Sequence, residues 1–154
     1  MGRTKLDSFR SDLVSFKKIG LDSMIFIYQF ADHIRYAPLT HVVFELLEES
    51  KIIAVTSTIT LTEVFVQPEK EKNQLIISEY EKVFQNLPNL ETVPVNWQIA
   101  RLSAKLRANF PKIKTPDAIQ ISSSLLKEYP AFLTNDQKLK KVAFLKVLIL
   151  EDYL

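Results

Sequence analysis

Apolar positions recur along the chain in two periods. At the start, Leu6, Phe9, Leu13 and Phe16 fall three or four residues apart, which predicts a short amphipathic helix. Lys17–Leu21 reads as a short strand. Asp22–Phe30 is apolar on nearly every side, with Met24, Ile25, Ile27, Tyr28 and Phe30, the mark of a buried helix. Pro38 in a first turn opens another helix, with Val42, Val43, Leu46 and Leu47 on its inner face. Ile52–Thr56 is a compact strand rich in β-branched residues. Ser57 or Thr58 is placed to cap a helix carrying Ile59, Leu61, Val64, Phe65 and Val66, which Pro68 ends or kinks.

The second half repeats the alternation. Lys70–Leu87 predicts one long amphipathic helix, striped by Ile76, Tyr80, Val83, Phe84 and Leu87. Leu90–Pro94 is a short strand, and Val95, Ile99, Leu102, Leu106 and Phe110 mark the next helix. Thr115-Pro116-Asp117 reads as a helix start: an N-capping Thr, a Pro at the first helical position and an acid in the first turn. That helix runs to about Glu128. Ala131–Thr134 is a strand, Asn135–Asp136 a turn or cap, and Lys146–Leu150 a last strand. Short continuous apolar strands alternating with helices mean an α/β fold around a parallel sheet. In such sheets chemistry gathers at the carboxyl ends of the strands.

Composition narrows the chemistry. At 154 residues, with 47% hydrophobic and 25% charged, the chain has the make-up of one folded domain. It has no cysteine, which removes disulfides, thiolate zinc sites and a thiol nucleophile. Its two glycines, Gly2 and Gly20, exclude the glycine-rich phosphate loops. The two histidines hold no metal-ligand spacing. No stretch approaches the roughly 18 apolar residues of a membrane span. The charged opening Met1–Phe16 is followed by no apolar leader core, so a cytoplasmic protein is expected. The net charge is only +2, but residues 98–146 hold ten Lys/Arg against three Asp/Glu. Such a half-surface suits a polyanion such as nucleic acid, and equally suits solvated helix faces.

Four acids sit where an active site would form. Asp22 follows the first strand and Asp136 the fourth; Asp117 opens the helix that leads to the fourth strand; Glu63 lies among Leu61, Val64 and Phe65. Converging carboxylates repel one another unless a hard divalent cation, which takes oxygen ligands, neutralises them. Singly, each has a plainer reading: Asp22 as an N-cap, Asp117 as a first-turn acid, Asp136 as a turn residue.

Their context resembles a known family. Leu21-Asp22-Ser23 followed by Met24–Tyr28 is similar to the opening motif of PIN-domain nucleases. Thr60–Val64 resembles their second motif, with its helix-borne glutamate. Lys114–Gln120 resembles the third, and Phe132–Asp136 with Lys138-Leu139 the fourth. The order agrees, with gaps of 41, 54 and 19 residues between the acids. The resemblance covers about Ile19 to the C-terminus. It implies a three-layer α/β/α sandwich on a parallel sheet of four to five strands, and Mg2+- or Mn2+-dependent cleavage of RNA. Many small members are VapC-type toxins, commonly homodimers restrained by an antitoxin protein. On this chain it implies Asp22, Glu63, Asp117 and Asp136 as the catalytic acids, the three aspartates as metal ligands, and Ser23 and Thr134 as supports. Met24 departs from the Asn or Ser common after the first motif's Asp-Ser. About 16 residues precede the first strand, so residues 1–16 are read as a helical extension and 17–154 as the nuclease-like domain.

Arg107, Lys112, Lys114, Lys138, Lys140 and Lys141 flank these acids in sequence and are the expected RNA contacts. Phe26, Tyr28, Tyr36 and Trp97 are aromatic groups able to stack on bases, with core packing the better reading for Phe26 and Trp97. The Leu6–Phe9–Leu13 face and the Pro38–Ser50 helix are candidate dimer or antitoxin surfaces. The alternative function is a non-catalytic RNA-binding or interaction module of the same fold. A phosphatase of the haloacid-dehalogenase type needs Asp-x-Asp after the first strand, whereas Asp22 is followed by Ser23 and Met24.

Overall fold

The computed structural model describes residues 2–154. Five strands form the sheet: β1 (Lys18–Leu21), β2 (Ile53–Ser57), β3 (Leu90–Val93), β4 (Ala131–Thr134) and β5 (Lys146–Ile149). All pairings are parallel, in the order β3-β2-β1-β4-β5. The helices are α1 (Lys5–Phe16), α2 (Ser23–Phe30), α3 (Ala37–Glu48), α4 (Ile59–Val64), α5 (Val66–Lys70), α6 (Gln74–Asn86), α7 (Trp97–Asn109) and α8 (Thr115–Leu126). Short 3-10 turns cover Gln137–Lys141 and Leu150–Tyr153.

Strand alternation divides the interior in two. Ile19, Leu21, Ala54, Ala131 and Leu133 join the helices α1, α2, α3 and α6 in the larger core. Phe132, Val147 and Ile149 join α7 and α8 on the opposite face. The result is the three-layer sandwich expected, with five strands. Gly20 is required by the second interface: a Cβ there would stand 1.9 Å from Ser124 Oγ, so α8 packs against bare backbone of β1.

Several boundaries differ from the sequence expectation. The Lys70–Leu87 helix starts late: α6 begins after Asn73, whose side chain accepts from Ile76 N at 3.2 Å, and Lys70 closes α5 instead. Pro68 kinks the preceding helix: α4 ends at Val64, Phe65 is the break, and Pro68 in the first turn of α5 has no N–H to give Val64 O. Thr115 is not a cap but the first residue of α8, after Lys114, and no side chain caps that end. α1 is not peripheral either. Phe9 and Leu13 are fully buried in the larger core, and Tyr153 closes over Phe9 with ring centroids 4.8 Å apart. Phe9 and Leu13 on α1 and the Val42–Leu47 face of α3 therefore lie inside the molecule, because those two helices and the C-terminal turn cover one another, while Leu6 stays exposed. Among the described residues no helix is long and apolar enough to cross a membrane.

Candidate active site

Parallel strands bring their carboxyl ends to one edge, and the four acids meet there from four separate segments. Asp22 caps α2 as β1 ends, its Oδ1 accepting from Ser23 N at 2.8 Å. Its Oδ2 accepts from Thr134 Oγ1 at 2.6 Å, tying the end of β1 to the end of β4. Thr134 Oγ1 in turn accepts from Asp136 N at 3.1 Å, and Asp136 Oδ1 accepts from Lys138 N at 2.9 Å. Ser23 Oγ donates to Glu63 Oε1 at 3.3 Å. Asp22, Glu63, Asp117 and Asp136 all line one cleft.

A buried polar web holds this edge from below. Gln120, on α8 and almost fully buried, donates from Nε2 to Ser23 Oγ and Thr60 Oγ1, while its Oε1 accepts from Ser57 N at 3.2 Å. Thr56 Oγ1 donates to Leu21 O at 2.9 Å. One amide thus joins α8, α2, α4 and β2 directly beneath Glu63. The sequence expectation assigned Gln120, Thr56 and Thr60 no role. Its available signal was a long amide inside the apolar run Ala118-Ile119-Gln120-Ile121.

The acids carry uncompensated negative charge. Burial, then the charges of Asp22, Asp136 and Glu63, push the Asp117 carboxyl up to about 6, against a smaller pull from Lys114. Asp22 is raised by burial and by Asp136, opposed by its bonds from Thr134 and Ser23. Glu63, partly open to solvent, is raised by desolvation and by Asp22, opposed by Ser23. Four carboxylates in one cleft, three of them with raised carboxyls, fit a hard divalent cation. Among the described residues, no three such side chains stand close enough to grip one ion directly. The donor set therefore fits an ion held by one or two carboxylates and reached by the others through water, the usual habit of Mg2+.

The predicted cationic residues divide. Lys112, Lys114 and Lys138 line the cleft beside Glu63, Asp117 and Asp136. Lys141 lies in an adjoining groove with Lys112 and Lys138. Lys140 is turned away, its Nζ 2.8 Å from Asp152 Oδ2, and Arg107 lies in the last turn of α7, outside the cleft. Tyr28 lines the cleft and Tyr36 stacks behind it, while Phe26 is wholly buried. Trp97 is 81% exposed, contrary to the packing expected; it falls off the Ile99–Ser103–Leu106 stripe that α7 buries.

A five-stranded parallel α/β/α sandwich with an acidic cleft at its carboxyl edge is the architecture of a nuclease-type hydrolase domain. The PIN domain family model matches residues 19–145, and the chain belongs to that family, whose members are nucleases. No curated protein matches it in sequence. Three solved structures share the fold. VapBC2 from Rickettsia felis, bound to a DNA fragment from their promoter, aligns at TM-score 0.67 and 19% identity over 86% of this chain and 98% of that one. A toxin–antitoxin complex from Klebsiella pneumoniae aligns at 0.62 and 20%, over 86% and 97%. DNA-bound VapBC from Salmonella typhimurium aligns at 0.64 and 17%, over 87% and 98%.

Proposed function

We propose that this protein is a divalent-metal-dependent endoribonuclease and the toxin of a toxin–antitoxin pair. One observation carries the chemistry: four carboxylates from four segments share one cleft, where burial and the neighbouring acids raise the Asp117 carboxyl to about 6. Asp22, Asp117 and Asp136 would hold the ion, Mg2+ or Mn2+, directly or through water, and the ion would supply an activated water and offset charge on the phosphodiester. Ser23 and Thr134 fix the orientation of Glu63 and Asp22. Glu63, partly open to solvent, would orient the water that adds to phosphorus as the bond to the departing oxygen breaks. Lys112, Lys114, Lys138 and Lys141 hold flanking phosphates.

The toxin reading is supported by the three structural neighbours, one described as a toxin–antitoxin complex and two as VapBC. An apolar surface open to an antitoxin is the groove of Leu61, Phe65 and Phe84, rimmed by Glu69 and Glu81. The homodimer implied by the family resemblance and the cytoplasmic location expected from the charged N-terminal segment belong to the same reading; the molar mass in solution by light scattering tests the first.

The deciding experiment is cleavage of a mixed RNA pool by wild type and Asp117→Asn, each with Mg2+, Mn2+ or EDTA, after removal of any co-purified partner. Metal-dependent cleavage by wild type, reduced at least about a hundredfold in the variant, supports the reading. Equal activity in the variant removes Asp117 from the site. Folded wild type that cleaves under no condition favours the binding module.

A further inference from the structure

The acidic cleft has two unlike lobes that share Glu63, Asp117, Asp136 and Lys138. One lobe, of about 260 Å³, carries the lysines, its further walls being Lys112 and Lys114 with Pro116 and Leu139. The other, of about 480 Å³, adds no further cation; its extra walls are Asp22, Met24, Tyr28, Thr134, Asn135 and Gln137, so all four acids border it. We infer that this second lobe is a nucleobase subsite, in which the base of a nucleotide flanking the scissile phosphate stacks on Tyr28. The inference rests on the nuclease reading and deepens it: the substrate is single-stranded RNA whose bases are free to splay.

Tyr28 is held as a platform. Its ring stacks on Tyr36 at 4.6 Å and an interplanar angle of 28°, and His33 packs against its edge at 4.9 Å. Its hydroxyl accepts from Asn135 Nδ2 at 3.3 Å. Asn135 is itself fixed, its Oδ1 accepting from Glu151 N at 3.0 Å. Tyr36 is pinned behind, its hydroxyl donating to Glu151 Oε2 at 2.6 Å, with Arg35 also paired to Glu151. An immobilised half-buried ring loses little freedom when a base covers it, and every base has a face to offer. Met24, one helical turn before Tyr28, supplies a polarizable flank beside the same lobe. Phosphates belong to the lysine lobe and a base to the aromatic one, so the strand crosses the acids in one direction.

The test measures binding in the non-cleaving Asp117→Asn background by fluorescence anisotropy. The probes are a labelled ten-residue oligoadenylate and the same phosphate–ribose chain with abasic residues. Adding Tyr28→Ala is expected to weaken the oligoadenylate roughly 5- to 150-fold and leave the abasic chain unchanged. Tyr28→Phe should keep the difference between the two probes. Tyr28→Leu preserves bulk against Tyr36 and should lose that difference, which guards against unfolding of the alanine variant. If both probes bind and Tyr28→Leu weakens them equally or not at all, the subsite is overturned while the nuclease reading stands. If neither probe binds the Asp117→Asn protein, the nuclease reading fails and the subsite with it.

Discussion

At the scale of the residue, Asp117 shows how position in a fold alters an ordinary side chain. Its carboxyl titrates near 6 in the folded protein against an ordinary 3.8. Between those values the folded state binds more protons than the unfolded one, so stability of the metal-free protein falls as pH rises through that window. The carboxylate is therefore a net cost at neutral pH without a cation. Asp117→Asn should raise the metal-free melting temperature at pH 7 by about 2 °C and flatten its change between pH 4 and 6, as read by circular dichroism. Saturating Mg2+ should stabilise wild type more than the variant. Gln120 illustrates the opposite case, a polar group whose burial is fully matched by partners on three other elements.

At the scale of the element, α1 behaves as part of the core. Its Thr4 cap bonds reciprocally with Asp7, and Phe9 and Leu13 insert without remaining exposure. Tyr153 donates to Asp12 Oδ2 at 2.6 Å, so the first helix is latched to the last turn. Phe9→Ala should cost about 3–5 kcal/mol, measured by urea unfolding, although the residue lies outside the span matched by the family. A helix that merely decorated the surface would show under 1 kcal/mol. The Lys70–Leu87 stretch teaches the complementary point. Its apolar stripe, Ile76 to Leu87, runs through α6 and its cap, but Lys72 takes a positive φ of 52° and Asn73 caps the helix, which therefore starts at Gln74 rather than Lys70.

At the scale of the whole molecule, charge is sorted along the cleft. Lys112, Lys114 and Lys138 border the acids, whereas Lys140 is neutralised by Asp152. The double variant Lys112→Ala/Lys138→Ala should weaken RNA binding and reduce the slope of log K against log salt by about 1.4, two single-strand contacts at about 0.7 each. Lys140→Ala should leave that slope unchanged. The pair of measurements separates lysines that meet phosphate from lysines that only follow the motif in sequence.

The sequence by itself determined the alternation of strands and helices, the parallel α/β class and the order of the four acids. Those follow from local periodicity and from chain order, which short-range sterics and burial impose on every residue. Ser23 and Thr134 were singled out through the family resemblance of their motifs rather than through any local period. Tertiary structure alone decided which face of each amphipathic helix met another. Leu6–Phe9–Leu13 and Val42–Leu47 read equally well as binding surfaces until α1 and α3 are seen covering one another. It also decided that Trp97 stays in solvent, that Gln120 reaches Ser23, and that Lys140 turns to Asp152 while Lys138 turns to the acids. Such outcomes depend on contacts between residues tens of positions apart, whose free energies no local pattern encodes.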